Sequence, residues 1–255
     1  MNDLFQRRSI GSPEALDVVV CKPMADRGVP HAFSLRWRKW ESEEPFGARD
    51  RGDQDREELA GALGLETLAH MRQVHGSEVQ AIDEAPLTLL VCDGLATTRK
   101  GLALIVHTAD CVPLVLWDED TGAVAAVHAG WRGALAGVSR SAAAFLAKRF
   151  GSRAESIHVA MGPSIGACCY EVGEEVVRAF DEQVSCGSDL FSPGPRGKSH
   201  LNLIEANSRP LTEYGVPREQ IYSSGMCTSC ENGRLYSYRK EGTGVGRLMG
   251  VIGVG

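Results

Sequence analysis

Residues 102–133 read LALIVHTADCVPLVLWDEDTGAVAAVHAGWRG, and this stretch decides the fold. Three short runs lie within it, Leu102 to Thr108, Val112 to Trp117 and Ala123 to His128, each rich in aliphatic or β-branched side chains. Nearly continuous apolar runs of this length predict central strands with both faces covered. The links between them are too short to hold crossover helices. A doubly wound parallel sheet needs such crossovers, so the pattern points to a mixed α+β arrangement.

Working outward, the same reading predicts strands at Leu16 to Val20, His31 to Leu35, Leu68 to Met71, Ser156 to Met161 and Leu248 to Val254. A helix is predicted over Trp131 to Arg149, where Leu135, Val138, Ala142, Phe145, Leu146 and Arg149 follow helical spacing and Gly151 marks the stop. Further helices are predicted at Asp53 to Leu63, Val172 to Gln183 and Leu203 to Tyr214. The polar stretches Lys39 to Arg56 and Cys186 to Ser199 read as surface loops. With no internal repeat, residues 1–255 are read as one domain.

The composition narrows the function. The chain is 43% hydrophobic, enough for a sizeable core, yet no run of eighteen or more apolar residues is present. The start, Met1 to Arg8, lacks the apolar centre of a signal peptide, so a cytoplasmic protein is expected. A net charge of -6 without a basic block argues against nucleic acid or an anionic membrane as partner. Eight cysteines in such a chain read as reduced thiols.

Three segments place a metal-ligating residue at a strand end beside a turn: QVHG at 73–76, TADCVP at 108–113 and VHAGWRG at 127–133. Strand ends let a rigid scaffold aim side chains into a cleft. The second and third flank a tight strand pair, which brings Cys111 and His128 face to face. His75, Cys111 and His128 would suit zinc, and three protein ligands leave the fourth tetrahedral position for water or substrate. The alternative is that these are packed strand-end residues, since the spacings match no compact zinc motif.

Together with GPSIGACCYEVG at 162–173, HLNL and AN within 200–207, and YSYRKEGTGVGR at 236–247, these motifs run in order along the chain from Pro30 to Ile252. In them the chain resembles the YfiH family, also described as laccase-domain, polyphenol-oxidase-like or peptidoglycan-editing-factor proteins. The resemblance implies mixed β-sheets forming a sandwich-like core surrounded by helices, with zinc on His75, Cys111 and His128. It implies purine nucleoside phosphorolysis of adenosine, inosine and methylthioadenosine, with adenosine deaminase activity besides. The editing-factor name implies an alternative, amide hydrolysis of a cell-wall precursor. One segment departs: where the family carries HGFSTRxGGVS, this chain has HAFSLRWRKW at 31–40. Phe33, Ser34 and Arg36 match, the glycine pair is absent, and Trp37 and Trp40 suggest a reshaped substrate mouth.

Arg36, Arg132 and Arg239 lie in matched motifs and offer forked donors to phosphate, with Tyr170 and Glu171 lining the site. Asp110 is read either as an acceptor orienting a ligand histidine or as structural. Asp93-Gly94 is read as a turn. Cys227 and Cys230 form a Cys-x-x-Cys pair that could be half of a second zinc site or a redox pair, but with no second pair evident they are read as a packed or semi-exposed thiol pair near the cleft, and of Cys168 and Cys169 at most one is expected to face the site. Catalysis is assigned to Cys111 and His128. Without metal these would make a Cys/His hydrolase. Multicopper oxidation is disfavoured, because seven histidines with no His-x-His pair supply too few ligands.

Overall fold

The structure, a computed structural model, describes residues 1–11, 16–36, 51–185 and 187–255. Trp37, Trp40, most of the expected loop from Lys39 and also Cys186 therefore lie outside the described residues.

Among the described residues one sheet runs in the order Phe5–Ile10, Leu16–Cys21, His31–Ser34, Leu248–Gly253, Leu102–Thr108, Thr67–Arg72 and Leu90–Val91. A second runs Ile221–Ser223, Ile157–Met161, Val112–Asp118, Val124–Ala129, Gly94–Thr97 and Val79–Ala81. Both are mixed. Thr67–Arg72 pairs parallel to Leu102–Thr108, whereas Leu248–Gly253 pairs antiparallel to it. The turn at 109–111 carries the chain from one sheet to the other, so the first two runs of the opening stretch are neighbours in sequence but belong to different sheets.

Alternation along each strand explains the layers. Leu102, Leu104 and Val106 face the space between the sheets, which they share with Val115, Val124, Ala126 and Phe33. Ala103 and Ile105 point the other way, against Leu59 and Ala60 of the helix Arg51–Ala62. Val112, Leu114, Leu116, Ala125 and Val127 face the helices Val138–Phe150, Glu174–Gln183 and Leu203–Tyr214. The result is helix, sheet, sheet, helix. Both sheets are covered on both faces, which is why their central strands read as unbroken apolar runs.

Three expectations are corrected. The helix predicted over Trp131 to Arg149 is two, Trp131–Leu135 and Val138–Phe150. Gly137, at φ 71°, turns the chain into the left-handed region between them, a conformation that apolar periodicity does not encode. Val172 is not helical: with Glu171 it pairs to Ser199–Leu201 in a small three-stranded sheet completed by Phe191–Pro193. Phe191–Pro193 falls inside the stretch read as a loop from Cys186 to Ser199, and Ser199–Leu201 begins at its last residue.

Candidate metal centre

The strand pair Val112–Asp118 and Val124–Ala129 is antiparallel, with His128 opposite Pro113 and Ala129 opposite Val112. Cys111, one residue before that register begins, is thereby carried to the end of the pair beside His128. The third member comes from the turn after Thr67–Arg72. Gln73 docks that turn onto the next strand through both ends of its amide: Nε2 donates to His107 O at 2.8 Å and Oε1 accepts from His107 N at 2.8 Å. One ligand atom each from His75, Cys111 and His128 then lies within 4.8 Å of the others. His75 Nε2 is 4.0 Å from Cys111 Sγ, and the two imidazoles meet edge to face with centroids 4.8 Å apart. Burial is graded: His128 is buried, Cys111 intermediate and His75 exposed, so the site opens on the His75 side.

Gly130 makes room for this convergence. A Cβ there would come within 2.9 Å of His75 Cδ2 and 3.0 Å of Cys111 Sγ, although its φ of -80° suits any residue.

A residue read from sequence as part of a turn organises the centre. Asp93 is fully buried at the entry to Gly94–Thr97, and its Oδ1 accepts from His128 Nδ1 at 2.8 Å and from His75 N at 2.9 Å. Its Oδ2 accepts from Val74 N at 3.2 Å and Gly76 N at 2.6 Å. Successive backbone N–H groups form an anion nest around the carboxylate, which holds His75 at φ 62°, one of two non-glycine residues at positive φ among those described. With Nδ1 donating to Asp93, His128 presents Nε2 to the site. The sequence signal was a lone acid in the apolar run Leu89-Leu90-Val91-Cys92-Asp93-Gly94-Leu95, because a buried carboxylate needs partners.

Asp110 does not take that role. Its Oδ1 accepts from Thr228 Oγ1 at 2.6 Å and its Oδ2 from Arg239 N at 2.6 Å, which fixes the Asp110 turn at φ 93° immediately before Cys111.

Electrostatics bind the three ligands together. Burial pushes the Cys111 thiol up, but hydrogen bonds and charge from His128 and His75 outweigh it and hold it below the ordinary thiol range. Burial pushes His128 down, and Asp93 and Cys111 together raise it well above the usual imidazole value. Burial also opposes ionisation of Asp93, which the His128 and Gly76 donors nevertheless hold in its charged form. The donor set is thus predisposed to present a thiolate, and two imidazoles with one thiolate are borderline-soft ligands of the kind zinc accepts.

Around this centre lie the other expected residues. Arg132 is exposed and stacks on Trp131 at 4.3 Å. Arg239 lies 5.4 Å from the Tyr170 ring centroid, with one guanidinium nitrogen donating to Glu171 O at 2.7 Å. Tyr170 is pushed up to about 12 by burial and by the Cys111 charge, and so keeps its proton at neutral pH. Sequence reasoning passed over Arg247, whose guanidinium is partly buried within electrostatic reach of Cys111 and Asp110. Arg36 is engaged elsewhere. Its Nη2 donates to Glu241 Oε1 at 2.7 Å and to Leu235 O at 3.2 Å, and its guanidinium stacks 4.3 Å from the Tyr236 centroid.

The Cys227–Cys230 pair has the companions the sequence did not reveal. Residues 167–169 form a turn in which side-chain directions do not alternate, and both Cys168 and Cys169 reach Cys230.

Residues 48–255 match the family model described as multi-copper polyphenol oxidoreductase laccase. The chain belongs to that family. Among this laccase family's members, it is 35% identical over 237 residues to a purine nucleoside phosphorylase of Deinococcus radiodurans, covering 89% of each protein. It is 38% identical over 203 residues to adenosine deaminase RL5 of an unknown prokaryotic organism, covering 75% of this chain and 77% of the relative. The crystal structure of YlmD from Geobacillus stearothermophilus superposes with a TM-score of 0.83 at 31% identity, covering 97% of this chain and 99% of that one. That of Bacillus licheniformis YfiH gives 0.83 at 28% identity, covering 93% and 96%. The α+β architecture is thus shared with these two solved structures. No helix among the described residues is long and apolar enough to cross a membrane.

Proposed function

We propose that the chain is a zinc-dependent purine nucleoside phosphorylase of the cytoplasm, one catalytic domain over residues 1–255, which also deaminates adenosine. The observation that carries this reading is the convergence of His75, Cys111 and His128 within 4.8 Å, with Asp93 behind His128. The names of the relatives, phosphorylase and deaminase, supply the substrate class. His75, Cys111 and His128 would hold the metal, which when bound supplies a Lewis acid with one position open to water or to a substrate heteroatom.

The chain's own residues do the rest. Arg132 and Arg239 would hold phosphate against the ribose anomeric carbon through forked donors, and each has donors to spare because a guanidinium carries five. Tyr170, protonated at neutral pH, donates a hydrogen bond to the nucleoside and orients it. In phosphorolysis the C1′–O bond to phosphate forms as the C1′–N bond to the purine breaks. Asp93 keeps His128 in one tautomer throughout. Arg36 serves as a brace, through Glu241 and Tyr236, in preference to binding phosphate itself. The family description names several coppers, but the histidines that converge with a thiol among the described residues are His75 and His128, a ligand set for one ion.

The test is to incubate zinc-loaded protein with adenosine, inosine and methylthioadenosine, with and without phosphate, and to separate the products. Ribose 1-phosphate (or its methylthio analogue) and free base appearing only with phosphate support the reading; no turnover of any of the three overturns it. A second reading has a specific observation in its favour: Cys111, His128 and Asp93 also have the order of a nucleophile, its base and the group that orients the base. That metal-free hydrolase predicts activity, on an amide such as a cell-wall precursor, that survives chelation.

A further inference from the structure

Beyond the candidate active site, a second group of metal-ligating side chains is assembled from two segments far apart in sequence. Cys168 and Cys169 come from the turn after the strand Ile157–Met161, and Cys227 and Cys230 from the segment after Ile221–Ser223. Those strands pair in parallel, and the pairing continues as an isolated bridge between Ser164 and Cys227. Ser164 N donates to Met226 O at 3.2 Å and Thr228 N donates to Ser164 O at 3.0 Å, which locks the two cysteine-bearing turns side by side.

The four sulfurs lie within 4.8 Å of one another. Cys230 Sγ is 3.4 Å from Cys169 Sγ and 3.6 Å from Cys168 Sγ. A disulfide would bring a pair to about 2.05 Å. A tetrahedral zinc with Zn–S distances of about 2.3 Å places its sulfurs ~3.8 Å apart along each edge, and the two separations from Cys230 fall just short of that value. Gly166 N donates to Cys227 Sγ at 3.3 Å, the kind of N–H···S bond that favours a thiolate.

We propose that Cys168, Cys169, Cys227 and Cys230 form a closed tetrathiolate zinc site, structural in role and distinct from the candidate active site. Four sulfur ligands fill a tetrahedral coordination sphere and leave no position for substrate. A divalent ion bound there would hold the four sulfurs as thiolates, releasing their protons on binding.

The site also has a task. Thr228, between Cys227 and Cys230, donates to Asp110, the residue before Cys111, and Tyr170 directly follows Cys169. A metal clamp between residues 62 apart therefore fixes both the turn that presents the Cys111 ligand and the wall that carries Tyr170.

The test uses the full chain purified without added metal under reducing conditions, with zinc measured by elemental analysis. The unaltered protein should carry about two zinc ions per chain. The double variant His75→Ala/His128→Ala leaves every proposed cysteine ligand in place, and it should retain about one. Adding Cys230→Ser to that background should remove the remaining zinc and expose the other three thiols to a thiol reagent. Because the first variant touches no cysteine, its result does not depend on whether serine variants fold. It is also independent of the phosphorylase reading. Less than about 0.2 zinc per chain in folded His75→Ala/His128→Ala protein overturns the proposal, whether its four thiols react freely or are found as disulfides.

Discussion

Replacing Asp93 by asparagine changes one oxygen to an amide nitrogen at the most connected position of the metal centre. Oδ1 serves His75 N and His128 Nδ1, and Oδ2 serves Val74 N and Gly76 N. The amide can keep one pair of donors, and whichever pair it abandons then faces an N–H group. The abandoned donors are part-buried backbone N–H groups, joined in one case by the buried His128 Nδ1, so the variant should lose about 1–3 kcal/mol of stability. Because the same carboxylate orients His128, zinc affinity should fall by about 10–100-fold. Urea unfolding of chelator-treated protein measures the first quantity, and competition with a chromophoric zinc chelator the second. An unchanged unfolding midpoint together with a zinc Kd within about two-fold of the parent would refute the assignment of Asp93 as the orienting group.

Gly130→Ala should lower zinc affinity with little change in the melting temperature of metal-free protein, since its backbone suits alanine while the new methyl collides with His75 and Cys111; equal affinity by chelator competition would contradict the crowding argument. His31 is buried, accepting from Cys21 N and donating to Val29 O, and burial holds it down at about 4. The unfolded chain takes up this proton near pH 6.5, so stability from His31 is whole above that pH and declines as pH falls towards about 4, by about 3 kcal/mol in all. The stability gap between the parent and His31→Gln should therefore shrink over that window, and a pH-independent gap in urea titrations would count against it. Arg36→Lys should cost about 1–2 kcal/mol through loss of the Tyr236 stack and weakening of the single bond to Glu241. It should lower phosphorolysis and deamination in parallel; selective loss of the phosphate-dependent reaction, with the melting temperature unchanged, would restore a phosphate role for Arg36.

Much of this protein was legible in its sequence because the relevant physics is local. The strands at 102–108, 112–118 and 124–129 announced themselves by apolar runs, and the short turn between the last two sets the register that brings Cys111 and His128 together. His75 entered the metal set through motif resemblance, and the structure brings its ring to the other two. What the sequence left open depends on contacts between distant segments or on backbone angles. Gly137 breaks a helix whose hydrophobic period runs through it, because the period records which face is buried and not the sign of φ. Asp93 reads as a turn residue until His128, 35 positions away, is seen on its carboxylate. Cys168 and Cys169 look like neighbours with opposed side chains until a turn aligns them on Cys230, itself brought close by the parallel pairing of Ile157–Met161 with Ile221–Ser223. Residue types and spacing determine which groups are able to ligate, but long-range strand pairing and the packing of two sheets decide which of them meet.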